Sequence, residues 1–195
     1  MPNYCDFNMR ITGPKKSVEH FINAATVHYY GEPNDSEHFW RVFKFEVTDT
    51  QVKGNLMQID AYGYCAWSVA VCFRQNGYQS SAAQPHNGVC LETFTKDHML
   101  IVEYFSTECG CCFSEHGLIK FGEWEIDECN DYYMLCNDCE LEDFNRLTGL
   151  NLTQEELNKL FTDREYITIG EPTYEFKDYL EVLNNENWAR NLKRF

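Results

Sequence analysis

Tyr4-Cys5-Asp6-Phe7-Asn8-Met9-Arg10-Ile11-Thr12, closed by Gly13-Pro14, is the stretch whose reading decides the fold. Cys5, Phe7, Met9 and Ile11 alternate with Asp6, Asn8 and Arg10, the period of two that places apolar side chains on one face of a half-buried strand. The Thr12-Gly13-Pro14 run ends the strand, and Pro14 suits the start of a helix, where a backbone N–H has no partner anyway. Val18, Phe21, Ile22 and Ala25 then recur at helical spacing. Polar Gly31-Glu32-Pro33-Asn34-Asp35 leads to a second strand, Trp40 to Val47, with Leu56 to Tyr64 as its hairpin partner. Arg74 to Gly88 is rich in turn formers and reads as a loop. A second helix over Val89 to Asp97 follows, then strands at Met99 to Phe105 and at Leu118 to Ile126, the latter bent at Gly122. The order strand, helix, strand, strand, helix, strand predicts an α+β protein: a ferredoxin-like split β-α-β sandwich over residues 1–130.

The remainder, 131–195, reads as an acidic helical extension packed on that sandwich. Leu141 to Leu147 form one helix ending at Gly149. Thr153 with Glu156 three residues later makes a capping box ahead of Leu157, Leu160 and Phe161. After Gly170-Glu171-Pro172, the positions Phe176, Tyr179, Leu180 and Leu183 mark a further amphipathic helix.

Composition bounds the function. The chain has 195 residues, of which 44% are apolar and 15% aromatic, enough for a core and too much for wholesale disorder. No run approaches the roughly 18 apolar residues of a membrane span. Met1 to Asp6 lacks the basic and apolar regions of a secretory signal, so a cytoplasmic protein with reduced thiols is expected. The formal charge of -15 argues against direct binding to a nucleic acid or an anionic membrane. It is unevenly spread: residues 1–122 carry 9 basic and 13 acidic groups, residues 123–195 carry 7 and 18. Between Glu123 and Asp143 there are nine carboxylates and no Lys or Arg.

Three segments together resemble the YubB-type ferredoxin-like proteins, a family found mainly in phages and plasmids. They are Met1-Pro2-Asn3-Tyr4-Cys5 with the Ile11-Thr12-Gly13-Pro14 turn; Gly63-Tyr64-Cys65-Ala66-Trp67-Ser68; and Ile101-Val102-Glu103-Tyr104-Phe105-Ser106 leading to Gly110, Phe113, Glu115 and His116. The resemblance covers about residues 1–130 and implies a ferredoxin-like fold and a mobile-element origin, hence residence in a bacterial host cytosol. The chain departs from the family at Cys109, Cys111 and Cys112, where relatives carry a Pro-Gly-Met-Gly-like run.

Six cysteines cluster within 31 residues: Cys109, Cys111, Cys112, Cys129, Cys136 and Cys139. Cys136-Asn137-Asp138-Cys139 is a C-x-x-C knuckle. One structural zinc held by Cys109, Cys112, Cys136 and Cys139 is the metal reading, with Cys111, His116 or Cys129 as further candidate ligands; otherwise the thiols are free and no cofactor is expected. The surrounding Asp131, Asp138, Glu140, Glu142 and Asp143 disfavour a reactive thiolate, which argues against redox catalysis. Phosphate-binding, hydrolase and metalloprotease motifs are missing, and His116 near Glu115 and Glu108 is a candidate acid–base pair, more simply read as a solvated turn or a satisfied hydrogen bond. The chain therefore reads as a non-enzyme.

The acidic stripe carries the functional expectation. Glu123, Glu125, Asp127, Glu128, Asp131, Asp138, Glu140, Glu142 and Asp143 form a surface that imitates a phosphate backbone, with Trp124, Tyr132, Tyr133 and Phe144 as contact area. Its partner is then a host nucleic-acid-binding defence protein, such as a CRISPR effector nuclease or a restriction enzyme, which the chain inhibits. The bland alternative is a solubilising face. A different class of function is a zinc-stabilised domain holding a small ligand or nucleotide near Trp67, Ser68 and His116.

Overall fold

The computed structural model describes residues 4–26, 37–74, 88–108, 113–131, 140–148, 151–160 and 172–185. Strand β1 (Tyr4–Pro14) buries Cys5, Phe7, Met9 and Ile11, as the alternation requires. It runs two residues past Thr12, because Gly13 and Pro14 still face Met57 and Leu56 across the sheet. Helix α1 (Lys15–Thr26) follows directly and buries Val18, Phe21, Ala24 and Ala25. Strands β2 (Val42–Lys53) and β3 (Leu56–Ala66) form a long hairpin. Its two-residue turn uses Gly54 at φ 63°, where a side chain would be strained.

Two expectations are corrected between β3 and the strand that begins at Ile101. Helix α2 (Val69–Phe73) occupies a segment that the apolar pattern leaves unassigned, and Ser68 caps it by accepting the Val71 N–H at 2.9 Å. Helix α3 (Leu91–Asp97) starts later than Val89, with Cys90 at its N-cap. Most of the expected Arg74–Gly88 loop lies outside the described residues, but its ends are anchored. Arg74 sits on Trp124 and Asp127, and Gly88 bridges to His38.

A third correction concerns the end of the sheet. The single bent strand expected over Leu118–Ile126 is two strands, β5 (Phe113–Lys120) and β6 (Glu123–Asp131), after β4 (Ile101–Glu108). The chain reverses at Phe121-Gly122, both at positive φ (51° and 92°), the geometry of a tight two-residue hairpin. Phe121 and Gly122 are held there because their N–H groups donate to Leu100 O at 3.0 Å and Thr95 Oγ1 at 3.1 Å.

All six strands join one antiparallel sheet in the order β2-β3-β1-β4-β5-β6. One face is covered by α1, α2 and α3, whose Phe21, Phe73, Leu91 and Phe94 pack on Phe7, Ile59, Val102 and Tyr104. The other face carries a smaller cluster in which Tyr174 and Tyr179 cover Met99, Ile101, Leu118 and Phe121. Helices α4 (Leu141–Thr148), α5 (Gln154–Leu160) and α6 (Phe176–Asn185) follow the sheet. The capping box before α5 has both its arms: Glu156 N–H donates to Thr153 Oγ1 at 3.3 Å and Thr153 N–H to the Glu156 carboxylate at 2.8 Å. No helix among the described residues is long and apolar enough to cross a membrane.

Candidate functional site

The first half of the acidic stripe is β6, an edge strand of the sheet. A bulge opposite Leu118 and Ile119 re-aims its side chains. Trp124 turns to the helical face and packs edge-on to Tyr104, whereas Ile126 joins the Tyr174 cluster on the opposite face. Glu123, Glu125, Asp127 and Glu128 are all exposed. Two of them are fixed by cations: Lys120 Nζ lies 2.7 Å from Glu125, and Arg74 Nη1 lies 2.6 Å from Asp127. Glu123 and Glu128 have no ion pair among the described residues. Asp131 ends the strand opposite Phe113.

Arg74 organises this edge from behind. Its guanidinium lies 4.2 Å above the Trp124 ring, and the indole N–H donates to Glu92 at 3.1 Å. The guanidinium stays protonated beside Asp127, although partial burial works against its charge. Trp124 is thus half-buried scaffold rather than open contact area. Phe144 departs further from expectation: it is 2% exposed, turned inward from α4, and offers no contact surface.

The second half of the stripe is partly local helix chemistry. Glu142 and Asp143 occupy the first turn of α4, where carboxylates offset the helix dipole, and Asp143 also pairs with Arg146 at 2.6 Å. Glu140 is exposed just before that turn. Tyr132, Tyr133 and Asp138 lie outside the described residues, as do Cys109, Cys111, Cys112, Cys136 and Cys139 of the expected zinc site. Cys129 is an exposed thiol on β6. Cys5, Cys65 and Cys72 are buried, and burial together with the two neighbouring thiols pushes the Cys65 thiol well up, leaving it unreactive.

His116 and Glu115 are not an acid–base pair, because successive strand residues point to opposite faces. Glu115 enters the helical side, where it accepts the N–H groups of Val69 (2.9 Å) and Ala70 (3.3 Å) and the Ser106 hydroxyl (2.6 Å). Burial raises its carboxyl above the ordinary value, against the opposing pull of those hydrogen bonds. His116 faces the other way, stacks on Phe105 and lies 3.1 Å from Glu103. Trp67 packs with the helical-face core, so His116 and Trp67 do not share a cleft. Trp67 instead sits at φ 68° under the Arg41 guanidinium, 4.4 Å from its ring centroid, beside Trp40.

The burial of Glu103 and Glu115 carries no signal in the sequence: Glu103 lies in a run that reads as an ordinary strand, and Glu115 precedes the strand expected from Leu118. A further group was equally hidden: His20, Glu37 and His98 come from three separate segments and meet beside α1. Compared with known proteins, the chain matches no family model, no curated protein and no solved structure.

Proposed function

We propose that the chain is a non-catalytic interaction protein of a phage or plasmid, built on a ferredoxin-like split β-α-β core, that inhibits a host defence nuclease by presenting an acidic edge to its nucleic-acid channel. The fold reading rests on β1 to β4, whose spatial order β2-β3-β1-β4, with helices on one face, is the arrangement a split β-α-β unit adopts. Strands β5 and β6 extend that sheet by one hairpin.

The observation that carries the function is the β6 edge. Four exposed carboxylates lie within six residues of a strand that, among the described residues, has no neighbour on its outer side. An edge strand rises about 3.3 Å per residue, so the four carboxylates span about 16 Å, with Asp127 and Glu128 on opposite faces of the strand. Lys120 and Arg74 hold Glu125 and Asp127 in place, which lowers the entropy lost on docking but also neutralises part of the charge. Glu123 and Glu128 then supply the uncompensated charge. The partner is a basic nucleic-acid-binding defence protein, and the mobile-element resemblance narrows it to a restriction or CRISPR effector nuclease.

The test is phage plating on hosts that carry one active restriction or CRISPR system each, with and without this protein expressed. Plating efficiency should rise by at least about tenfold on one host class, and the gain should fall in the Glu123→Gln/Glu128→Gln variant. No rise on any host, or an undiminished rise with the variant, overturns the reading.

A further inference from the structure

We infer that His20, Glu37 and His98 form a binding site for a divalent first-row transition ion of the zinc type, with one coordination position open to an adjoining cleft. This site shares no residue with the acidic edge.

Backbone ties bring together the three segments that bear these side chains. His20 lies in the middle of α1. The segment bearing Glu37 is fastened to the same helix, since Phe39 N–H donates to Ala24 O at 3.0 Å. His98 closes α3, where its own N–H donates to Phe94 O at 3.0 Å. Phe94 then backs both imidazoles, with ring centroids 5.1 Å from His20 and 4.4 Å from His98. Among the described residues, this is the single grouping of three or more His, Cys, Asp or Glu whose ligand atoms all lie within 4.8 Å of one another.

The distances fit a metal. Zinc–nitrogen and zinc–oxygen bonds of about 2.0–2.1 Å in a tetrahedron separate neighbouring ligand atoms by about 3.3 Å. His20 Nε2 and Glu37 Oε2 already stand 3.1 Å apart, and the two imidazole rings meet edge to face with centroids at 4.7 Å. The ligand atoms of all three residues lie within 4.8 Å of one another, so binding draws His98 in toward the other two. Protonation is compatible as well: burial and the neighbouring His20 ring depress His98, partly offset by Glu37 and Asp97, which favours the neutral imidazole that a metal needs.

The donor set, two imidazoles and one carboxylate, matches ions of borderline softness, and three protein ligands leave one tetrahedral position vacant. His20 and His98 both line a cleft of about 860 Å³, whose walls include Lys15, Lys16, Ser17 and Asn55. Asp97 and the apolar Pro14, Leu56 and Met99 complete the lining, so the open position suits water.

The experiment uses the full chain stripped with chelator and titrated with Co²⁺ and then Zn²⁺. One cobalt should bind with weak ligand-field bands and no thiolate charge-transfer band, and zinc should displace it. His20→Ala and Glu37→Gln should each weaken that binding by about 10-fold or more, while Cys136→Ser leaves it unchanged. Both substituted side chains are partly exposed, and matching metal-free melting curves will show that the variants fold. Absence of this cobalt spectrum, equal affinity in the wild-type and His20→Ala chains, or loss with Cys136→Ser overturns the site.

Discussion

The Glu103 carboxylate, on β4, accepts the backbone N–H of Tyr174 at 2.7 Å and so joins residues 71 apart in sequence. It accepts the Thr173 N–H at 2.7 Å as well, and His116 lies 3.1 Å away on the neighbouring strand. A buried carboxylate with three polar partners is a clasp: it fastens the segment before α6 to the open face of the sheet. Arg10 and Gln58 reach the Tyr174 carbonyl from β1 and β3, and the Tyr179 hydroxyl donates to Met99 O at 2.8 Å.

Glu103→Ala removes the acceptor and strands the buried Tyr174 N–H and the part-buried Thr173 N–H. Charge-assisted hydrogen bonds of this kind are worth about 1.5–3 kcal/mol, so urea denaturation should register a loss of about 2–3 kcal/mol. Limited proteolysis should find faster cleavage in the segment around Thr173. A loss under about 0.5 kcal/mol with unchanged cleavage would show that the apolar contacts of Tyr174 and Tyr179 hold the segment unaided.

Glu115 makes stability depend on pH in a defined direction. Its folded-state carboxyl is raised by burial, so the native state holds the proton more tightly than the unfolded chain. Stability linked to this group is complete below the ordinary carboxyl value and lost as pH rises through the raised one. Glu115→Gln cannot titrate. Denaturation of both proteins from pH 7 down to about 4.5 should show the wild-type chain gaining relative to the variant on acidification. A gain on alkalinisation instead would mean that the hydrogen bonds from Ser106, Val69 and Ala70 outweigh desolvation.

Gly117 tests how tightly β4 and β5 are packed. It lies directly opposite Tyr104, which is 1% exposed, and a Cβ at this position would overlap the Tyr104 ring. The ring is locked beneath the helices and against Trp124, so it has no room to yield. Gly117→Ala should therefore cost about 1–3 kcal/mol by overpacking, read as a lower denaturation midpoint at unchanged slope. A neutral outcome would mean that the tyrosine swings aside and the β4–β5 contact is softer than drawn.

What the sequence disclosed was what local periodicity encodes. The alternation of Cys5, Phe7, Met9 and Ile11, the Val18–Phe21–Ala25 spacing and the Thr153–Glu156 box all describe neighbours in the chain, and all three appear as read. The β5–β6 reversal was hidden because Phe121 takes a left-handed turn conformation that favours glycine or asparagine, so the run Leu118 to Ile126 keeps the apolar look of one strand. Helix α2 was hidden because Val-Ala-Val-Cys-Phe has β-type composition; its helicity comes from the Ser68 cap and from Glu115, 46 residues away from Val69. The buried Glu103 and the His20–Glu37–His98 grouping depend on tertiary contacts alone, and no spacing rule reports those.

The acidic edge must be separated from bulk negative charge, and the sheet offers its own control. Glu123 and Glu128 lie on β6, whereas Asp49 lies on β2 at the opposite edge and Glu19 on the surface of α1; all four are exposed. Glu123→Gln/Glu128→Gln and Glu19→Gln/Asp49→Asn remove the same two charges from different places. With a target nuclease immobilised, the first pair should slow association more than it speeds dissociation, because rim charges steer encounter over distances set by the Debye length. The second pair should leave the on-rate within about twofold, since its charges point away from the docking edge. Wild-type association should fall steeply between about 50 and 200 mM salt, and the β6 variant should show a shallower slope. Equal losses from the two pairs would reduce the edge to a solubilising surface, and its acidity would then serve to keep an open strand from pairing with a second copy.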